Sequence, residues 1–491
     1  MSVVSIKNCY CKILGDFDPQ ISGKLYEGLT YGDPADLEFR TLYDPRNRVF
    51  PTGVLDTVLR IMAENGEIPT FEDKRIKITS AGKFPYDPKH PARPYQEQDI
   101  KSMLKTSRGI VRLPTGGGKT FISGAYIADL SLSPTLFLVH RTTLLDNAYE
   151  DFLEQFPKEY VGRLGGGYFE IDRPIVVAML PTIASALRLD KSEKITTEQA
   201  AGIIDLLKRA AVVIGDEAHH IPAAVSFNIL TQTTSAYRKI ALSATPWRAD
   251  GMDLLIEAAF GKRIVDRSAS ELADLGFLVN PDIKMVRVPY RAAANGITDW
   301  AEIQKHGIVE NTVRNKIAIA EILDMYEKGR NIGVFVNMIQ HGKNMLAALR
   351  ALLPTHEVEF VEGATSSLER NRIFRAARTG RVRISVLTSL ADEGLDIPAM
   401  NGICLADGGK SSVEKIQQIG RGLRIHPSSG KFDCDVRDFY DEVCPILKRH
   451  SDERVSLYQT IERNWTVSIR NNSLGLISKP VKTASTGMGD W

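Results

Sequence analysis

The sequence predicts an α/β fold in which a small α+β domain is followed by two domains built on parallel sheets. From about residue 93 onwards, short apolar runs alternate with helical stretches, which is typical of a parallel sheet covered on both faces. The 491 residues exceed one ordinary domain, and 43% of them are hydrophobic. Prolines at positions 85, 88 and 91 mark a linker. We expect four segments, 1–90, 91–275, 276–450 and 451–491, the last a helix with a flexible tail.

Individual strands can be predicted within these segments. In the first segment, residues 37–42 and 49–50 flank a turn composition, so they are expected to form a hairpin. In the two larger domains the strand-like runs are Gly109 to Leu113, Leu136 to Val139, Ile175 to Ala178, Val212 to Asp216, Ile240 to Ser243, Gly333 to Val336, Val358 to Val361, Ile384 to Leu387 and Gly402 to Leu405.

A glycine-rich segment directly after the first of these runs predicts a phosphate site. Such a turn frees backbone N–H groups to cradle phosphates at a helix N-terminus, and Lys119 adds a positive charge for the β- and γ-phosphates. Thr120 supplies a hydroxyl for Mg²⁺. Leu113 stands where the usual pattern has its first glycine, so the motif alone is weaker. The predicted nucleotide-binding residues here are Pro114, Thr115, Gly116, Gly117, Gly118, Lys119 and Thr120.

An acidic pair at the end of a second buried strand completes this prediction. Asp216 can hold the magnesium ion, and Glu217 can orient or deprotonate the attacking water. Together the two motifs predict a nucleotide triphosphatase that uses ATP and Mg²⁺. The alternative is a glycine-rich turn and an acidic strand end without a ligand, which the presence of both motifs in order disfavours.

Three further motifs follow in the chain: Ser243-Ala244-Thr245-Pro246, Asp392-Glu393-Gly394-Leu395-Asp396, and Gln417 to Arg424. With the two phosphate motifs, and in this order, they resemble superfamily two helicases over residues 93–425. The resemblance implies two RecA-like domains with ATP bound between them. It also implies that Gln96, with Arg93, reads adenine, although an ordinary surface glutamine is the alternative.

The same resemblance implies roles for residues of both domains. Arg421 and Arg424 would act as arginine fingers on the γ-phosphate, with Gln417 also in the catalytic set; a solvated helix face is the alternative. Further nucleotide contacts would come from Gly394 and Asp396. Coupling between the sites would come from His219, Ser243 and Thr245. The DNA strand would contact Arg141, Gly166, Thr182 and Thr388, although a plain flexible turn is an alternative at Gly166.

The continuation Thr245-Pro246-x-Arg248-x-Asp250-Gly251 favours DNA as the substrate. It is similar to XPB-like repair helicases and phage recombination helicases, and the first segment resembles the small N-terminal domain of UvsW-like bacteriophage branch-migration helicases, among them those of T-five-like siphophages. The resemblance implies an ATP-dependent enzyme that remodels forks and junctions in replication, recombination and repair. The alternatives are an RNA helicase, a DNA-translocating motor subunit of a restriction-type complex, and a purely structural DNA-binding protein.

Composition adds further expectations about location and partners. The net charge of +2 implies that the basic surface for DNA is confined rather than general. Five cysteines without paired spacing suggest reduced thiols, and no apolar run approaches a membrane span. We expect a monomer in the cytoplasm, or in the host cytoplasm if it is viral. Its partners would be branched or forked DNA and replication or recombination proteins, with no membrane partner.

Overall fold

The structure is a computed structural model that describes residues 2–33, 38–80, 82–190, 192–217, 223–244, 253–290, 296–388, 397, 399–409, 412–461 and 464–476. It divides into two compact units, Met1–Arg267 and Ser268–Trp491. The expected N-terminal segment is part of the first unit and the C-terminal helix is part of the second. Outside the described residues lie the expected flexible tail and four predicted site residues, His219, Thr245, Gly394 and Asp396.

The N-terminal segment is a small mixed sheet with two helices. Its elements are β1 (Val3–Ile6), β2 (Tyr10–Leu14), α1 (Pro19–Gly28), β3 (Thr30–Asp33), β4 (Glu38–Thr41), β5 (Val49–Pro51), a 3₁₀ turn (Thr52–Val54), α2 (Leu55–Glu64) and β6 (Thr70–Asp73). The sheet order is β5-β2-β1-β6, and β3 pairs separately with β4. The predicted hairpin is confirmed only at its turn, where Asp44 and Val49 form an antiparallel bridge; the strands themselves pair elsewhere, β4 with β3 and β5 with β2. Pairing with β2 buries Phe50 of β5 completely in the core.

This segment packs directly on the rest of the first unit. Ala258 belongs to its hydrophobic core, and the Thr57 hydroxyl donates to Glu257 Oε1 at 3.0 Å. Lys239 Nζ lies 3.3 Å from Cys9 Sγ, and burial lowers the pKa of Lys239 to about 7. The N-terminal segment and the larger sheet therefore share buried contacts that would be lost if the segment were removed.

The larger sheet of the first unit has eight strands in the order β10-β9-β11-β8-β12-β13-β7-β14. All pairs are parallel except β10 with β9. The elements are α3 (Pro94–Lys105), β7 (Arg108–Arg112), α4 (Lys119–Leu130), β8 (Thr135–Val139), α5 (Thr142–Leu153), a 3₁₀ turn (Lys158–Tyr160), β9 (Val161–Gly165), β10 (Tyr168–Phe169), β11 (Ile175–Met179), α6 (Leu180–Ala186), α7 (Thr197–Arg209), β12 (Val212–Asp216), α8 (Ala223–Gln232), β13 (Arg238–Ser243), α9 (Asp253–Phe260) and β14 (Arg263–Asp266).

All five strands predicted in this domain are confirmed, whereas β9, β10 and β14 were not predicted. The proline-rich linker is irregular, as predicted, but it packs against the domain. Its Phe84 ring lies 5.5 Å from that of Tyr160, and its Tyr86 ring lies 5.4 Å from that of Phe156. Because its aromatic side chains are anchored, the linker holds a defined path along the surface.

The second unit contains a seven-stranded, fully parallel sheet in the order β17-β18-β16-β19-β20-β15-β21. The elements are α10 (Ala269–Asp274), β15 (Pro281–Val288), α11 (Trp300–Ile303), a π-helical turn (Gln304–Val309), α12 (Thr312–Glu327), β16 (Ile332–Val336), α13 (Ile339–Arg350), a 3₁₀ turn (Thr355–Glu357), β17 (Val358–Val361), α14 (Ser367–Arg378), β18 (Ile384–Thr388), β19 (Gly402–Leu405), α15 (Ser412–Arg421), a 3₁₀ turn (Pro427–Ser429), β20 (Cys434–Asp441), α16 (Pro445–Ile461) and β21 (Thr466–Arg470). Strands β15, β20 and β21 were not predicted. Both units are mixed α/β with parallel sheets, which confirms the predicted fold class.

Strand β20 carries charged side chains into the interior of the second unit. All eight of its residues are buried, and its charges are paired. Asp438 accepts from Arg454 Nε at 2.8 Å and from the Tyr458 hydroxyl at 2.8 Å, while Asp441 accepts from Arg314 Nε at 2.8 Å. Because Arg454 and Tyr458 belong to α16, these bonds fasten that helix to the sheet. No described helix is long and apolar enough to cross a membrane.

Replacing Arg454 by Met should destabilise the second unit by about 3–5 kcal/mol, because it leaves the buried Asp438 carboxylate without its cation. The measurement is denaturant unfolding of the full chain. Arg449 of the same helix has a 66% exposed side chain and is the matched control, so Arg449→Met should shift the transition by less than about 1 kcal/mol. Equal effects of the two substitutions would contradict the stabilising role of the buried pair.

Candidate functional site

The glycine-rich segment forms a tight loop between β7 and the start of α4 at Lys119. Gly116 and Gly118 have φ values of 83° and 85°, in the left-handed region that favours glycine. A methyl group on Gly118 would lie 2.4 Å from Gln96 Nε2. Leu113, the departure from the usual pattern, is fully buried, and its N–H donates to the Ser243 carbonyl at 3.0 Å. The loop therefore starts from a fixed anchor on the neighbouring strand β13.

Gln96 supports this loop from α3. Its Oε1 accepts from the Arg93 N–H at 2.9 Å, and its Nε2 donates to the Gly117 carbonyl at 3.2 Å. The Tyr95 hydroxyl donates to the same carbonyl at 2.8 Å. Gln96 is only 4% exposed, so it is not an ordinary surface glutamine. The side-chain amide of Gln96 donates and accepts at the same time, but both partners are backbone groups. Its contact with adenine stays a prediction.

The acidic pair lies at the end of β12 beside the loop. The Lys119 ammonium forms an ion pair with the Glu217 carboxylate, and the Glu217 N–H donates to Asp216 Oδ1 at 3.1 Å. Burial raises the pKa of the Asp216 carboxyl above its ordinary value, an effect that the positive charge of Lys119 opposes. His140, at the end of the adjacent strand β8, also acts electrostatically on Asp216. From the sequence, Val139-His140-Arg141 is a further mark of the same helicase group, but a place for His140 beside the acidic pair was not predicted.

These residues fit a magnesium-nucleotide complex. Glu217 adopts a φ of 46°, which is unusual for a non-glycine residue and sets its carboxylate against Lys119. The Asp216 carboxylate and the Thr120 hydroxyl are the hard oxygen donors that Mg²⁺ prefers. Within the described residues no group of three or more His, Cys, Asp or Glu side chains could hold a metal ion. A Mg²⁺ ion here would therefore depend on phosphate and water oxygens for most of its ligands.

Three of the predicted DNA-contacting residues lie at the same edge of the first sheet. Arg141 follows β8, Gly166 follows β9, and Thr182 lies in the first turn of α6 after β11. These strands are parallel neighbours, so their carboxyl ends meet at one edge. A methyl group on Gly165 would lie 2.6 Å from Thr182 Oγ1, which confirms their proximity. The Thr182 hydroxyl donates to Glu193 Oε2 at 2.7 Å, and its contact with DNA stays a prediction.

The glycines after β9 form a hairpin turn rather than an irregular flexible loop. Gly166 and Gly167 link β9 to β10 and have φ values of 60° and 91°. Positive φ at both central residues is the requirement of the two-residue type I′ turn. No atom outside its immediate neighbours lies within 4 Å of a methyl group built on Gly167, so the tip of the turn is open.

The remaining predicted residues lie in the second unit. Thr388 ends β18, and its buried hydroxyl has no hydrogen-bond partner among the described residues. Gln417 and Arg421 are half-buried on α15. Arg424 lies beyond the end of that helix, in a bridge with Leu278. Because α15 ends at Arg421, the alternative that Arg421 and Arg424 share a solvated helix face is wrong.

Two families match the chain in succession. Residues 89–248 match the type III restriction enzyme res subunit, and residues 315–426 match the helicase conserved C-terminal domain. The DNA 3′-5′ helicase XPB of Kineococcus radiotolerans is 26% identical over 361 residues, which cover 71% of this chain and 60% of that protein. The chain thus spans less than two thirds of the length of this curated relative.

Two solved structures are matched over most of this chain. The type ISP restriction-modification enzyme LlaBIII bound to DNA has a TM-score of 0.56 and 13% identity, over 79% of this chain and 31% of that chain. UvsW of bacteriophage T4 is matched over 96% of this chain and 99% of that chain, with 18% identity and a TM-score of 0.43, which is too low to support a functional argument.

Gly118→Ala should lower the affinity for ATP at least about tenfold, because the new methyl group meets Gln96 and the residue must keep a left-handed backbone. The matched control is Gly66→Ala, since Gly66 has a φ of 78° but nothing within 4 Å of the added methyl group. Nucleotide binding is measured by titration calorimetry. Equal affinities of the Gly118 variant and the wild type would show that the loop does not need this close approach.

Proposed function

Because the chain carries the two RecA-like domains of a superfamily two helicase, we propose that it is an ATP-dependent DNA helicase or translocase. The observation that carries the proposal is the phosphate loop with its lysine placed against the acidic pair at the ends of β7 and β12. The relatives support DNA as the substrate, since the similar XPB protein is named a DNA 3′-5′ helicase.

In the proposed mechanism the chain positions water and charge around the γ-phosphate. When bound, ATP would supply the phosphoanhydride bond that is broken, and Mg²⁺ would supply positive charge beside the phosphates. The loop N–H groups and Lys119 would bind the β- and γ-phosphates, and Asp216 and Thr120 would hold the metal. Glu217 takes the proton of the attacking water. Binding of phosphate by Lys119 would release Glu217 from its present ion pair, so the carboxylate would become available as a base when the substrate is in place.

The second unit would contribute the charges that act late in the reaction. Arg421 and Arg424 would neutralise the charge that spreads over the γ-phosphate, with Gln417 beside them and Gly394 and Asp396 as further nucleotide contacts. His219, Ser243 and Thr245 would couple hydrolysis to DNA movement. The position of Ser243 supports this role, because its backbone carbonyl accepts a hydrogen bond from the Leu113 N–H at the start of the phosphate loop.

We further propose branched DNA, such as forks and recombination junctions, as the substrate, as in the UvsW-like phage enzymes. The N-terminal segment would contact the duplex beside the branch. It has an open groove of about 730 Å³ whose lining includes Tyr10, Lys12 and Asn47. The Tyr10 ring and the Lys12 ammonium are suited to sugar and phosphate contacts, whereas the Asn47 amide already donates to the Asp44 carboxylate in the same lining.

A second candidate is the motor subunit of a restriction-type complex. Two observations favour it: the match of residues 89–248 to the res subunit family, and the fold similarity to a type ISP enzyme. Such a motor would translocate on duplex DNA without separating its strands. Duplex-stimulated ATP hydrolysis with no strand separation or branch migration on any junction would favour this candidate over the first.

The central test is ATP turnover with single-stranded DNA, duplex DNA, forks, four-way junctions and RNA. We expect DNA to stimulate turnover at least about tenfold more than RNA, and Lys119→Ala to abolish it. Glu217→Gln should retain ATP binding but lose hydrolysis, because it keeps the side-chain shape and removes the base. Stimulation by RNA alone would overturn the DNA assignment, and loss of ATP binding in Glu217→Gln would contradict the proposed base.

Lys12→Glu should weaken binding of a four-way junction several-fold and flatten its salt dependence. The reason is that a negative charge replaces the positive charge that would face phosphate. This variant is preferable to deletion of the segment, whose core is shared with the larger sheet. The matched control is Lys24→Glu, on an exposed lysine of α1 outside the groove. Junction affinities measured at several salt concentrations and unchanged in Lys12→Glu would exclude the groove from DNA binding.

A further inference from the structure

The short strand β10 presents an aromatic side chain that the proposed mechanism does not use. Tyr168 follows the glycine turn directly and is 39% exposed, and Phe169 beside it is 40% exposed. Neighbouring residues of a strand point to opposite faces. Phe169 lies toward α7, where a methyl group on Gly202 would be 3.5 Å from its ring. The Tyr168 side chain therefore lies on the other face of the hairpin.

Arg163 of β9 fixes the Tyr168 ring in place. The guanidinium carbon of Arg163 lies 3.4 Å from the centre of the Tyr168 ring and 4.1 Å from the centre of the Tyr149 ring on α5. Arg163 is in turn held by the carboxylates of Asp146 and Glu170, at 3.7 Å each. An exposed aromatic ring usually loses rotamer freedom when it binds a partner, but here the ring is already oriented.

The surroundings of Tyr168 suit a nucleic acid strand. The turn at Gly166 lies against the N-terminus of α5, because a methyl group on Gly166 would be 3.1 Å from Thr142 Cγ2. A helix N-terminus with free N–H groups favours phosphate. The open tip at Gly167 leaves room for a backbone to approach. A strand whose phosphates lie at this edge would have its bases within reach of the Tyr168 ring.

We infer that Tyr168 is a stacking platform for an unpaired base of the DNA strand, oriented from below by Arg163. The inference rests on the proposed function and deepens it, since it names a base contact beside the predicted DNA contact at Gly166. Stacking on an aromatic ring is tolerant of sequence because every base has a π face. Tyr168 would therefore hold the strand without selecting a base.

The test compares oligothymidylate with an oligonucleotide of equal length in which abasic sites replace the bases. We expect Tyr168→Ala to raise the Kd for oligothymidylate by about five- to tenfold and the Kd for the abasic strand by less than about twofold. Tyr168→Phe keeps the ring and should bind like the wild type. Phe169→Ala removes a similarly exposed ring from the other face and should leave both Kd values unchanged.

The variants remain interpretable if folding is affected. Arg163 retains Tyr149, Asp146 and Glu170 in Tyr168→Ala, and DNA-independent ATP turnover checks that the domain is intact. An unchanged Kd for oligothymidylate in Tyr168→Ala, or an equal loss on the abasic strand, would overturn the stacking role while leaving the proposed function standing. A wild-type protein whose ATP turnover is stimulated by neither single-stranded, duplex nor branched DNA would overturn the proposed function itself.

Discussion

The parallel pairing of the first sheet is the constraint on which the arrangement of the candidate sites depends. Every strand from β9 to β7 across the sheet runs in the same direction, so the loops that follow these strands gather at one edge. The order of strands then separates two functions along this edge. Residues assigned to the nucleotide or to coupling lie at the ends of β7, β12 and β13, and those assigned to DNA follow β8, β9 and β11. Strands β8 and β12 are neighbours at the boundary, where His140 acts on Asp216.

The phosphate site could be predicted from sequence because its chemistry is local. A glycine turn, a lysine and a hydroxyl follow one buried strand, and an acidic pair follows another. The partners of Gln96 could not be predicted in the same way, since its contact with Gly117 depends on how α3 packs against the loop. Gly166 was predicted as a DNA contact or a plain flexible turn, but its hairpin was not predicted, because a two-residue strand gives no periodicity from which it could be recognised.

Strand β20 illustrates why part of the second unit was missed. A run with alternating charges predicts an exposed segment, yet Asp438 and Asp441 are buried with Arg454 and Arg314 as partners. These ion pairs form only when the folded chain brings distant residues together, so no repeat in the sequence predicts them. The arginines of α14 show a related effect at the surface. Arg372 pairs with Glu369 at 2.7 Å and with Glu359 at 3.0 Å, so a count of arginines there overstates the positive charge that remains for DNA.

The position of β15 in the second sheet has a consequence for how the chain is made. This strand lies between β20 and β21, so both of its neighbours are synthesised only after residues 289–433. The sheet of the first unit needs no strand beyond β14 and can be complete by then. Ile283, Met285 and Val286 of β15 are fully buried in the folded protein, and their strand gains its two neighbours only when β20 and β21 have been made. The second sheet therefore cannot be completed until β20 and β21 have been synthesised, although β15 is the first of its strands in the sequence.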